Sequence, residues 1–184
     1  MTPTALNRYA QIGAQSVVLQ SSQIRSSLVS DGSAALTNRF IIESENGTAF
    51  AALAQPLEPI SQDAAAFFED HVVISDEAGQ VAVEVKAGLK VADWFKGVKA
   101  AIHQNHGLLT ASRHSIEAAA FWFIALERCC QQQLLVQASG IKPRLVPPDK
   151  ARYSREHVGS EYIGWLHFQT IWNDLLRTQP DMFD

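Results

Sequence analysis

The sequence is short of cysteine, of charge and of long apolar runs, and each shortage removes a class of protein. Two cysteines occur in 184 residues, Cys129 and Cys130. They are adjacent in a helix-forming stretch, where neighbours point about 100° apart and rarely bridge. A disulfide framework is excluded, and a reducing compartment fits best. Lysine and arginine number 15 against 19 acidic residues, with no basic cluster to neutralise a phosphate backbone, so nucleic acid is a poor partner. No apolar run approaches roughly 18 residues, and no basic-then-apolar leader opens the chain, so no membrane contact or export is expected and the protein reads as cytoplasmic. Gly-rich phosphate loops, Gly-x-Ser-x-Gly elbows, His-Glu-x-x-His and spaced cysteine pairs are also missing. What is there is one ordinary domain, 47% hydrophobic, long enough to bury a core without staples, and its expected partner is a small molecule.

Organisation is uneven. Residues 1–39 are dominated by Ser, Gln, Ala and Thr with weak periodicity, and are set apart as an atypical N-terminal segment from a domain over 40–184. Asn46–Ala54 reads as a small helix ended by Pro56, Gln62–Asp70 as another, and His71–Ile74 as a strand. Gln80–Val85 reads as a strand and Lys86–Phe95 as a helix. Lys99–His103 and Leu108–Ala111 read as strands joined by an Asn105-His106-Gly107 turn. Ser115 is placed to cap a helix over Ile116–Ala138 that Gly140 closes. The block Ala118–Leu126 in it is apolar all round and so should be sandwiched, while Gln131–Gln133 should emerge into water or an interface. After Pro143, Pro147 and Pro148 come two helices, Lys150–His157 and Ser160–Thr178. The second carries Tyr162, Trp165, Phe168 and Trp172 at three- and four-residue spacing, a packing stripe. Irregular alternation of helices and strands gives an α/β class with a mixed or antiparallel sheet.

The six histidines are the candidates for chemistry, since imidazole both ligates metals and titrates near neutrality. His103 and His106 flank Gln104-Asn105 on a strand entering a turn, and alone they make a weak metal signal. His71, His114, His157 and His167 read as structural or capping residues. Cys129 and Cys130 read as packed small apolar residues.

The run Ala100-Ala-Ile-His-Gln-Asn-His-Gly-Leu-Leu-Thr-Ala-Ser-Arg113, followed by Glu117-Ala-Ala and Ala125-Leu-Glu-Arg-Cys-Cys-Gln-Gln-Gln-Leu-Leu135, resembles the class II aldolase/adducin superfamily. Gly47-Thr-Ala-Phe-Ala-Ala-Leu-Ala with Pro56-Leu and Gln62-Asp-Ala extends the likeness upstream. Val158-Gly-Ser, Gly164-Trp165 and Gln179-Pro-Asp resemble its decarboxylase-like microbial and fungal branch, with members in secondary metabolism. The resemblance implies a three-layer αβα domain with a mostly antiparallel central sheet, assembled as a homo-oligomer, usually a tetramer. It also implies a divalent metal of zinc type, held by a His-x-His pair on one strand and a third histidine in an Asn-His-Gly turn. Position by position, His106 is that third histidine.

The pair is not spelled out: the residues before Gly47 are Ile41-Ile-Glu-Ser-Glu-Asn46. An ungapped alignment puts Ile41 and Glu43 at the ligand positions. The favoured alternative matches Asn38–Glu45 to the family's preceding helix, so that the metal strand is missing between Glu45 and Asn46. The expected activity is that of a metal-dependent lyase, performing aldol cleavage or decarboxylation of a small carbonyl or carboxylate compound. His106 is its metal ligand, Glu43 and Glu45 are its candidate catalytic carboxylates, and His103 is a further candidate for the shell. The competing expectation is a non-catalytic, adducin-like scaffold or a truncated, inactive family member.

Overall fold

The computed structural model describes the backbone of Val18–Leu19 and Asn38–Glu43, and residues 45–75 and 97–178 in full. The strand and helix expected over Gln80–Val85 and Lys86–Phe95 lie outside the described residues, as does most of the segment 1–39.

Among the described residues, five strands form one sheet: β1 (Val18–Leu19), β2 (Asn38–Glu43), β3 (His71–Ile74), β4 (Ala100–His103) and β5 (Gly107–Ser112), in the spatial order β1-β2-β5-β4-β3. β1–β2, β2–β5 and β5–β4 run antiparallel, and β4–β3 runs parallel, so the sheet is mixed. The β4–β5 hairpin turns through Gln104, Asn105 and His106, where Asn105 takes the left-handed backbone (φ 58) that asparagine tolerates better than most residues.

The helices among the described residues are α1 (Glu45–Ala51), α2 (Gln62–Ala65), α3 (Ile116–Ala138), α4 (Pro148–Val158) and α5 (Glu161–Thr178). The boundaries of α3 are those expected, because the signals are local: the Ser115 hydroxyl accepts from Ala118 N at 3.1 Å, and no Gly or Pro interrupts the next 23 residues. Pro148 opens α4, where its missing N–H costs no hydrogen bond. α2 is shorter than expected: beyond Ala65 the chain turns, and Glu69 is left-handed at φ 54.

Alternation along the strands sorts the core onto two faces. Ala100, Ile102 and Leu108 meet Phe50 and Ala51 of α1 and Ala118, Ala119, Trp122 and Phe123 of α3. α5 then packs on α3, contributing Phe168 and Leu175, so the apolar half of α3 is sandwiched as its sequence requires. Ile74, Ala101, Leu109 and Ala111 are buried on the other face. Of the three glutamines at the end of α3, Gln131 and Gln132 are exposed, but Gln133 is buried and accepts from Glu58 N at 2.9 Å.

Candidate functional site

The hairpin turn builds the candidate site. His106 N donates to His103 O at 3.0 Å, and Gln104 N donates to Ile74 O at 2.9 Å, tying the turn to both β4 and β3. His103 is buried (6% exposed), and His106 is partly open. Their rings lie 5.1 Å apart, centroid to centroid, tilted by 59°. The two histidines singled out in the sequence are therefore brought together.

β2 ends beside them. Its register pairs Ile41 with Leu109 and Ile42 with Leu108, which brings Glu43 level with Gly107, the residue after His106. His103 pairs with Gly107 from the other side. Glu43, Gly107 and His103 thus form one row across three strands. Glu45 is exposed in the first turn of α1.

This strand decides between the two alignments. Asn38–Glu43 is extended and hydrogen-bonded to β5, not helical, and it leads directly into α1. The favoured alignment, with Asn38–Glu45 in a preceding helix, is corrected accordingly: Phe40-Ile41-Ile42 is a β-branched and aromatic run that a sheet accommodates well. The ungapped alignment, which puts Ile41 and Glu43 at the ligand positions, is the one compatible with a strand here.

A residue the sequence reading passed over fixes the exit from β2. Glu127, buried on α3, accepts from Asn46 N at 3.0 Å and Gly47 N at 2.7 Å, one through each carboxylate oxygen. These N–H groups have no partner within α1, and a carboxylate there also matches the helix dipole. Its signal was an acid directly after the apolar block Ala118–Leu126.

A second polar cluster lies at the opposite end of the hairpin, about 13 Å away at 3.3 Å per strand residue. Lys99 Nζ donates to Ala66 O at 2.7 Å, Asp70 Oδ2 at 2.8 Å and Gly159 O at 2.8 Å, and lies 4.5 Å from the centroid of the Trp122 ring. Burial pushes its ammonium below the usual lysine value, and Asp70 opposes this. All three donors are used, so Lys99 serves as a cross-link between α2, β4 and the α4–α5 junction. It borders a cavity of about 690 Å³ whose lining includes Arg113, His114, Arg155 and Glu161. Glu161 accepts from the Ser112 hydroxyl and from Arg113 N, which joins the start of α5 to the end of β5.

Among the described residues, no group of three or more His, Cys, Asp or Glu is placed to hold a metal ion. A zinc-type ion takes three or four N, S or O ligands, and here two imidazoles stand together.

The family model for the class II aldolase and adducin N-terminal domain matches residues 42–134, beginning within β2 and ending within α3. The chain belongs to that family. It is 40% identical over 136 residues to the Decarboxylase NovR of Streptomyces niveus, covering 74% of this chain and 49% of the relative. It is 39% identical over 137 residues to the 4-hydroxy-3-prenylphenylpyruvate oxygenase/4-hydroxy-3-prenylbenzoate synthase of Streptomyces roseochromogenus subsp. oscitans, covering 74% and 48%. Among solved structures, an L-fuculose 1-phosphate aldolase from Glaciozyma antarctica PI12 superposes with a TM-score of 0.68 at 30% identity, covering 78% of this chain and 53% of that one. The chain spans about half the length of the curated relatives it matches. No helix among the described residues is long and apolar enough to cross a membrane.

Proposed function

We propose that the chain is a lyase-type member of the class II aldolase family, breaking a carbon–carbon bond beside the carbonyl of a small carbonyl or carboxylate compound, by aldol cleavage or decarboxylation. The observation that carries this reading is His106, which sits on the turn of the hairpin with His103 against it and the end of β2 alongside. The likenesses to a decarboxylase and to an aldolase support the same bond type.

Either reaction leaves an electron pair on the carbon next to a carbonyl, and the enolate so formed must be stabilised on oxygen. An imidazole at that oxygen can donate a hydrogen bond or a proton. In this reading His106 performs that role, and Glu43, whose backbone is level with Gly107, and Glu45 are the candidate carboxylates. A divalent ion, when bound, supplies Lewis acidity to the same oxygen. The donors described do not complete its shell, so the reading rests on the chain's own side chains. A cytoplasmic homo-oligomer, a tetramer by family likeness, acting in secondary metabolism completes the proposal.

The test is an assay of the purified full chain on simple 3-oxo acids and β-hydroxy carbonyl compounds, following carbon dioxide release and aldehyde formation, with and without added Zn²⁺ or Mn²⁺. Turnover that is lost in His106→Ala supports the lyase, and turnover unchanged by that substitution sinks it. One observation favours a second reading: Ile41 at a ligand position can offer no donor atom. A scaffold without catalysis predicts a folded oligomer that turns over none of these compounds under either metal condition.

A further inference from the structure

We infer that Glu127 is a positioning residue of the proposed site: from the middle of α3 it holds the backbone between β2 and α1 in place beside the His106 hairpin, without meeting substrate itself. This role rests on the lyase reading for the location of the site, and adds the residue that keeps the pieces of that site together.

The helix itself has no need of an acid at this position. Phe123, Leu126 and Cys130, one turn away or adjacent, are buried in the core, and an apolar side chain in place of a buried charge is often neutral or stabilising. A carboxylate taken out of water is unfavourable unless hydrogen bonds replace its hydration. Glu127 is 5% exposed, and its Oε1 accepts from Asn46 N at 3.0 Å and its Oε2 from Gly47 N at 2.7 Å. Both donors are main-chain groups, 81 and 80 positions away in sequence. The acid is therefore accounted for by the corner it holds and not by the helix that carries it.

That corner has two anchors. The ladder pairs Ile42 of β2 with Leu108 of β5, and Asn46 and Gly47 are tied to Glu127 just beyond. Residues 43–45 lie between the two. A span this short has little backbone freedom when fixed at both ends, and frays when one end is released. Past the second anchor, Phe50 and Ala51 of α1 are fully buried and join Ile102 and Leu108 in one core cluster, and these are the strand residues next to His103 and Gly107. Glu127 thus ties the exit from β2, the start of α1 and, through α1, the flank of the hairpin to a single point on α3. A misplacement of about 1 Å far from the chemistry can cost on the order of 100-fold in rate, so a residue out of reach of substrate can still set it.

The experiment compares the full wild-type chain with Glu127→Gln, which keeps the shape and one acceptor but sets an NH₂ group against the other amide, and with Glu127→Ala, which removes both acceptors. Three quantities are read well below the melting temperature: hydrogen exchange of the Asn46 and Gly47 amides against amides of β5, the ring resonances of His106 against those of the surface residue His157, and kcat and KM on the 3-oxo acid or β-hydroxy carbonyl compound that the wild type turns over. Exchange at Asn46 and Gly47 should be faster by about 10-fold or more in Glu127→Gln and faster still in Glu127→Ala, with β5 unchanged. The His106 signals should shift and those of His157 should not. The kcat should fall by about 10-fold or more with KM held within about two-fold. Exchange that rises equally throughout the chain, His106 signals indifferent to Glu127→Gln, or an unchanged kcat each overturns the inference. Should Glu127→Ala fail to fold, Glu127→Gln decides alone. A wild type without turnover sinks the lyase reading, while the exchange and ring signals still decide whether Glu127 positions this corner, so the two failures are separate outcomes.

Discussion

His71 stands at the start of β3 with both ring nitrogens engaged. Nε2 accepts from Leu57 N at 3.0 Å, which leaves the proton on Nδ1, where it is donated to Phe67 O at 2.8 Å. This is a neutral imidazole, and burial lowers its pKa from 6.5 although Phe67 O and Asp70 pull the other way. On unfolding, the group returns to its ordinary value, so below 6.5 the unfolded chain binds more protons than the folded one. Stability therefore rises with pH through this window and is lost on acidification below 6.5. Denaturant midpoints measured across that range should fall on the acid side, and His71→Gln should flatten that part of the profile. A second residue-scale prediction concerns Gly164 on α5. Replacing a helical glycine by alanine ordinarily gains about 1 kcal/mol. Here an added Cβ would come 2.5 Å from Trp122 Nε1, a buried indole nitrogen without a hydrogen-bond acceptor. Gly164→Ala should instead cost about 1–3 kcal/mol by overpacking the α3–α5 contact, seen as a lower melting temperature.

At the scale of elements, α3 explains why the cysteines carry no chemistry. Cys129 and Cys130 are both fully buried in the layer between sheet and α5. Burial pushes the Cys129 thiol up to about 12 and Cys130 well above its usual value. Since the thiolate is the reactive form, a disulfide-exchange reagent at about pH 8 should label neither thiol in the native protein and both after denaturation. α3 was also the most legible element, because its cap, its uninterrupted helix formers and its closing Gly140 all lie within its own sequence. β2 was legible only in part. Ser44 and Glu45 next to Phe40-Ile41-Ile42 fit a helix end as well as a strand end, and the choice is made by pairing with β5, far along the chain. The site divides the same way. His106 could be read from Asn105-His106-Gly107, whereas the roles of Glu127 and Lys99 depend on backbone groups that only the fold brings near.

For the whole molecule, the helices of the described region collect on one side of the sheet, and α5 turns Tyr162, Trp165, Leu166 and Leu176 outward. Tyr162 and Trp165 stack on each other at 5.9 Å, whereas Phe168, in the same stripe, is buried. The tetramer contained in the proposal is checked by sedimentation velocity, which should give about four times the chain mass.

The bond from Glu127 to Gly47 bridges 80 positions of sequence. α1 has seven residues, well short of the roughly 12–15 at which an isolated helix begins to hold in water. It follows that α1 depends on α3 for the partner of its first N–H groups, and so does the exit from β2 beside His106. Whatever loosens α3 will be felt at that corner as well.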